Sequence, residues 1–364
     1  MKDDYYVMWL SRIDGMNLSK IKRLTAYFGS AKEIYKAERD ELEEVICAED
    51  AYKIDASSVD GSFEKYMDSL EKSGSDYMSF FNENYPKGLK DIDDAPIGLY
   101  YKGSFPKTDS RFVSMVGSRR CTQYGKQAAL KLSGDLAKRG ITIVSGLAAG
   151  IDSYSAYGTL KNKGITVAVM GTAIDRCYPA ENRGLMERII NEGGCILSEY
   201  APGAKTYGSD FVRRNRIIAG LSEVLIIVEA ELKSGTSSTV DDALKYGRSI
   251  FAVPGSIFSK YSEGTNRLIR DGCPPVLSYE DILLEMGIDE RYIKKHNGKD
   301  EKPELSGIGE TGRIIIEALG EPMSFDELAA KTGMNETRLR SELTVLEIRK
   351  IVAKLPGQRY VLVY

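Results

Sequence analysis

The stretch "RFVSMVGSRRCTQYGKQAALKLSGDLAKRGITIVSGLAAG", Arg111 to Gly150, carries the repeating unit from which the fold follows. "RFVSMVG" is a short apolar run that ends on a glycine turn. "GKQAALKLSGDLAKRG" then spaces its apolar residues for one face of a helix and stops on Gly140, a residue suited to a helix C-cap. "ITIVSG" is the next apolar run. Near-continuous apolar strands separated by amphipathic helices imply a parallel sheet covered on both faces. The alternation recurs in "ITVAVMG" from Ile165, "CILSEY" from Cys195, "EVLIIVEA" from Glu223 and "SIFAVPG" from Ser249, with "NRGLMERIINEG" as a further helix. The predicted class is therefore α/β: an extended Rossmann-like, doubly wound, mainly parallel sheet. Ligands of such sheets sit outside the carboxyl ends of the strands, so the loops that follow the strands hold the candidate residues.

Working outward, residues 1–75 show helical periodicity and no strand series. "IDGMNLSKIKRLTAYFG" pairs a glycine turn with a helix, in the manner of a helix-hairpin-helix or SAM-like module. Such a module either offers backbone amides to a DNA phosphate or only packs against protein. The α/β domain is assigned to 76–288, and the polar stretch 289–312, rich in Lys, Glu and Gly, reads as a linker. Residues 313–364 give three helices and a hairpin, the order of a winged-helix domain, with Asn335 placed to cap the third helix. That helix carries Arg338 and Arg340 but also Glu336, Glu342 and Glu347. Its charge does not favour deep entry into a DNA groove, and both DNA contact and protein docking stay open for it.

The net charge of −3 over 364 residues conceals an asymmetry. Between Arg111 and Gly272 there are 22 Lys and Arg against 15 Asp and Glu, whereas the remainder holds 28 against 38. A basic centre between acidic ends points to a polyanionic partner. The five cysteines are scattered without a CxxC pair, and the one histidine, His296, falls in the linker. No Ser-His or Cys-His pair, no carboxylate cluster with metal spacing and no cofactor motif results, so no catalytic residue, metal or cofactor is expected. No run of 18 or more uncharged apolar residues and no secretory leader is present, which predicts a cytoplasmic protein without a membrane span.

The turn "MVGSRRCTQYG" leads from strand to helix. Gly117 and Ser118 allow close backbone approach, the helix start offers free N–H donors, and Arg119 supplies a planar fork for phosphate. It matches neither GxxxxGK[ST] nor GxGxxG. In "VSGLAAGIDSYSA", Asp152 is placed to cap the following helix. "GTAIDRCYPAENRGL" sets Arg183 in the first turn of a helix on the same sheet edge. In "SEYAPGAKTYGSDFVRRNRIIAG", Lys205 adds charge to a long polar loop before Phe211, Arg213, Arg214, Asn215 and Arg216. Neighbouring helical positions lie about 100° apart, so Arg213 and Arg216 can share a face that Arg214 cannot. The helix then turns apolar, which leaves a cationic rim with an aromatic beside it, the means by which single-stranded nucleic acid is held without sequence reading. "KSGTSSTVDD" offers Gly235, Thr236 and Ser237 as a further anion cradle.

With these loops in view the chain resembles the DprA/Smf family of bacterial DNA-processing proteins, through "VGSRRCTQYG", "IVSGLAAGID", "YPAENRGL", "LSEYAPG", "FVRRNRIIAGLS", "IVEAELKSGT", "YGRSIFAVPGSI" and "GTNRLIRDG" in unbroken order. The resemblance implies a protein that binds single-stranded DNA, forms a homodimer and loads the recombinase RecA onto the strand during transformation. It places DNA contacts on Ser118 and Arg119 of the G-S-R turn and on Phe211, Arg213, Arg214, Asn215 and Arg216, with Arg183 at a basic position. Ser237, Ser238, Asp241 and Asp242 depart from the family's usual pattern. The alternative is a Rossmann-like enzyme that releases a base from a nucleoside monophosphate, but Thr239 stands where that motif, PGGxGTxxE, needs its carboxylate.

Overall fold

The structure, a computed structural model, describes residues 2–107, 109–288, 308–319, 323–349, 351–355 and 359–362. It divides into two compact units, Met1–Gly287 and Ile288–Tyr364. Most of the predicted linker, with His296, lies outside the described residues.

The first unit opens with helices α1 (Asp3–Ser11), α2 (Leu18–Phe28), α3 (Ala31–Lys36), α4 (Arg39–Glu43), α5 (Ala48–Val59) and α6 (Ser62–Ser73). Gly15, with φ +86°, forms the glycine turn read before this helix, Asn17 caps α2 by accepting from the Lys20 amide at 3.0 Å, and Gly29 ends it with φ +82°. The helices close over Trp9, Leu10, Ile21, Leu24 and Ile34, all fully buried. The Trp9 indole donates to Ser57 Oγ at 2.9 Å, satisfying the one polar atom that its burial would strand. Met8 and Leu70 face the other way, into a core shared with the sheet.

That sheet has eight strands in the order β1-β2-β6-β5-β4-β3-β7-β8. They are β1 (Asp76–Ser79), β2 (Gly98–Gly103), β3 (Phe112–Val116), β4 (Thr142–Ser145), β5 (Thr166–Met170), β6 (Cys195–Ser198), β7 (Val224–Ile227) and β8 (Ser249–Ala252). From β6 to β8 every neighbour is parallel, while β1 and β2 form an antiparallel hairpin joined to β6. The interleaved helices are α7 (Lys87–Lys90), α8 (Gln123–Ala137), α9 (Ile151–Lys161), α10 (Arg183–Asn191), α11 (Gly208–Leu221), α12 (Thr236–Lys245), α13 (Glu263–Arg270) and α14 (Tyr279–Glu285). One face buries Val144, Val167 and Val169 with Ile217 and Ile218 of α11, and the other buries Ala168, Met170 and Ile196 with Leu160 and Ile189. Successive side chains of one strand thus enter opposite cores, which is why the runs are apolar throughout instead of alternating.

The second unit packs helices Glu310–Ala318, Phe325–Thr332 and Glu336–Ile348 against strands β9 (Met323–Ser324), β10 (Val352–Leu355) and β11 (Arg359–Leu362). The short strand β9 completes a three-stranded antiparallel sheet, order β10-β11-β9, that the sequence reading did not include. Asn335 caps the third helix by accepting from the Arg338 amide at 2.9 Å. Arg340 of that helix pairs with Glu336 at 2.7 Å and lies 4.5 Å over the Phe325 ring, so its charge is shared inside the unit.

Candidate nucleic-acid interface

The chain runs from β3 through β4, β5 and β6 to one side, then returns along α11 and enters β7 on the opposite side of β3. The order reverses between β3 and β7, and a cleft opens there at the carboxyl ends of the strands, where ligands of this fold class bind. Its volume is about 360 Å³, and its walls include Ser118, Arg119, Asp152, Arg214, Asn215 and Thr236.

The β3 turn is held tightly. The Ser118 amide donates to the Glu229 carbonyl at 2.8 Å, and the Ile151 amide donates to the Ser118 carbonyl at 3.2 Å. Gly117 has no room for a side chain: a Cβ there would lie 2.7 Å from Ile151 Cγ1 and 2.9 Å from the Glu229 carbonyl oxygen. The Glu229 carboxylate, itself buried, accepts from the Thr122 amide at 2.8 Å and the Thr122 hydroxyl at 2.5 Å, which fixes the start of α8. Arg119 and Arg120 project from this rigid base into solvent. The sequence signals Glu229 only as the residue after an apolar run; its role as an anchor depends on a contact 107 positions away.

The arginine cluster on α11 splits three ways. Arg213 keeps its side chain 61% exposed and touches Glu199 Oε1 at 3.3 Å, whereas Arg216 is buried and donates to the same oxygen at 2.6 Å. The shared face expected for these two residues is therefore real, and what it faces is a carboxylate. Arg214 points to the opposite side and is buried at the floor of the cleft, where it donates to the carbonyls of Gly146, at 2.9 Å, and of Val169. Burial pulls its pKa down to about 10, with the charge of Asp152 working against that loss and the charge of Arg119 adding to it. Asp152 is buried beside it and its pKa is raised by desolvation, partly offset by Arg214. Its carboxylate accepts from the amides of Gly146, at 3.0 Å, and Ala148, at 3.4 Å. The helix-cap role expected for Asp152 is thus replaced by closure of the preceding turn, because Gly150, not Asp152, occupies the cap position of α9.

Asn215 donates to Ser238 Oγ at 2.9 Å and ties α11 to α12. Phe211 is partly buried with its ring centroid 5.1 Å from that of Tyr178. Arg183 opens α10 and Lys205 lies in the loop before α11, and both are exposed. On the far side of α11, Arg213 and Arg216 border a larger cavity of about 1150 Å³, with Asp93, Asp94, Asp241 and Asp242 also on its walls. Burial raises the pKa of Asp242, helped by the charge of Asp94. Helix α11 thus separates a cationic cleft from an acidic cavity. Thr239, in the place of the hydrolase carboxylate, is buried on the wall of the cleft. Among the described residues no three His, Cys, Asp or Glu side chains converge as a metal site, and no helix is long and apolar enough to cross a membrane.

A doubly wound sheet with a cationic switch-point cleft, joined in one chain to a winged-helix unit, defines an extended Rossmann-like protein of the kind the sequence motifs imply. The chain belongs to the DNA recombination-mediator protein A family, whose sequence pattern matches residues 76–287, and the DprA winged helix domain matches 302–358. It is 32% identical to Protein Smf of Synechocystis sp. over 98% of each chain. It is 38% identical to the DNA processing protein DprA of Streptococcus pneumoniae, over 64% of this chain and 79% of that one. The crystal structure of DNA processing protein A from Streptococcus pneumoniae superposes with a TM-score of 0.65 at 32% identity, covering 78% of this chain and 99% of the other. The Helicobacter pylori protein, described for its unique single-stranded DNA binding mode, gives 0.52 at 32% identity over 59% of this chain and 97% of its own.

Proposed function

We propose that this chain binds single-stranded DNA without reading its sequence, along the carboxyl edge of the sheet, and acts there as a homodimer that passes the strand to RecA in the cytoplasm. The observation that carries the strand-binding reading is the disposition of Arg119, Arg183, Lys205 and Arg213. All four are exposed at or beside one edge of the sheet, Arg119 and Lys205 on loops, Arg183 at the start of α10 and Arg213 in the second turn of α11, and Arg119 stands on a turn fixed by backbone hydrogen bonds. Cations that follow a phosphate chain, with aromatic rings beside them, hold a single strand through charge and stacking. Gly117, Ser118, Arg214, Asn215 and Arg216 support this edge from within: Arg214 and Arg216 are buried against the protein, so the direct phosphate contacts fall to the exposed Arg119 and Arg213. In this scheme the segments 1–75 and 313–364 precede and follow the α/β domain 76–288 in the sequence. The non-enzymatic reading is supported by Thr239, which cannot replace the carboxylate of a base-releasing hydrolase.

The test is a salt series of anisotropy titrations with a labelled single-stranded oligonucleotide and its duplex. Tight binding that favours the single strand is expected, and Arg119→Ala should weaken it for every sequence and flatten the slope of log K against log salt by about 0.7 per lost phosphate contact. A folded Arg119→Ala protein with unchanged affinity and slope overturns the assignment.

A further inference from the structure

We infer that Tyr178, rather than Phe211 alone, is the surface on which a base of the bound strand stacks. The inference rests on the strand-binding reading above and names the residue that supplies its base contact. Phe211 sits in the first turn of α11 with its backbone pressed onto the end of β5. A Cβ on Gly171 would lie 2.9 Å from both Phe211 Cα and Phe211 Cδ1. The ring is partly buried in this position and one side of it is occupied. Tyr178 covers another side, with the two ring centroids 5.1 Å apart and the planes inclined by 54°. Tyr178 itself is 55% exposed, a large aromatic surface held by a buried-edge neighbour and open to solvent on the rest.

An exposed aromatic serves stacking only if it is fixed, since ordering a mobile ring on binding would consume part of the gain. The loop that bears Tyr178 is tied down. Asn182 Nδ2 donates to the Leu147 carbonyl at 2.8 Å and to Ser153 Oγ at 2.9 Å, which joins the β5 loop to the β4 loop. Leu147, the residue that accepts this bond, is buried with φ +56°, a conformation that persists only where the surroundings dictate it. Thr172 Oγ1 donates to the Arg176 carbonyl at 2.5 Å and closes the same loop across its base. The ring is therefore presented by a rigid support, five residues before the exposed Arg183 and against the helix that carries Arg213. A strand whose phosphates meet those cations brings its bases within reach of Tyr178. Every base has a π face, so such a platform adds affinity without adding sequence preference.

The test compares a labelled oligothymidylate with an abasic strand of the same length and backbone, titrated against the full chain and four variants. Tyr178→Ala is expected to lose about 5- to 150-fold in affinity for oligothymidylate, the factor that matches one stacked base, with little change for the abasic strand and an unaltered salt slope. Tyr178→Trp is expected to keep the preference for the base-bearing strand. Tyr178→Leu retains apolar bulk against Phe211 without a stacking face and is expected to behave as Tyr178→Ala, which separates stacking from packing if the alanine variant folds poorly. Unchanged oligothymidylate affinity in Tyr178→Leu or Tyr178→Ala, alongside a loss in Arg119→Ala, overturns the role of Tyr178 and leaves strand binding in place. Unchanged affinity in all of them overturns both.

Discussion

Replacing Arg214 with Met removes the buried charge that offsets that of Asp152 beneath the cleft. Arg214 is 5% exposed, its guanidinium bonds to two carbonyls at the ends of β4 and β5, and it is the main charge that favours ionised Asp152. Removing one partner of a buried pair leaves the other charge uncompensated, which costs about 3–5 kcal/mol. The pKa of Asp152 is already raised by burial, so the folded state binds its proton more tightly than the unfolded chain does. A carboxyl raised in this way favours the fold fully below its ordinary value, and the benefit is lost as pH rises through the raised value. Without Arg214 that pKa climbs further. The variant should therefore lose most stability near pH 7.5, on the order of 3–5 kcal/mol, and recover part of the loss as pH falls toward the ordinary carboxylate range. Adding Asp152→Asn should also recover much of it at neutral pH, because the amide oxygen still accepts from the Gly146 and Ala148 amides while the buried charge is gone. The assay is urea denaturation followed by circular dichroism at several pH values. A loss below about 1 kcal/mol at pH 7.5, or one that does not vary with pH and is not relieved in the double variant, would refute the pairing as the source of stability.

Two further perturbations test the supports of the cleft. Glu199→Gln removes the carboxylate shared by Arg213 and Arg216; a loss of about 3 kcal/mol is expected because Arg216 stays buried, together with tighter strand binding through the released Arg213, read by denaturation and by anisotropy. Thr122→Val deletes the hydroxyl on the buried Glu229 and the cap of α8, whose Gly125 amide lies 3.2 Å from that oxygen. The expected cost is about 1–3 kcal/mol, and a fall in strand affinity should accompany it as the turn that bears Arg119 loosens.

The α/β alternation, the turns after each strand and the cap at Asn335 were legible because they are local. An apolar run, a glycine and a polar cap each act on residues at most a few positions away, and their signal is written in neighbouring letters. The edge hairpin β1-β2 and the short β9 were not legible as strands: four to six residues at a sheet edge, or two in a wing, carry too little periodicity to register. Among the candidate residues, helical spacing correctly separated Arg214 from Arg213 and Arg216.

What lay opposite each of them was decided only in three dimensions. Glu199 is 14 positions before Arg213, Asp152 lies 62 before Arg214, and Tyr178 lies 33 before Phe211. A charge reads alike in sequence whether it is solvated or paired, since burial is a property of the sheet edge to which several distant loops return. The amino-acid order therefore determined which elements form and which strand ends carry cations. The packing of those ends against one another decided which cations are committed to the protein and which remain exposed.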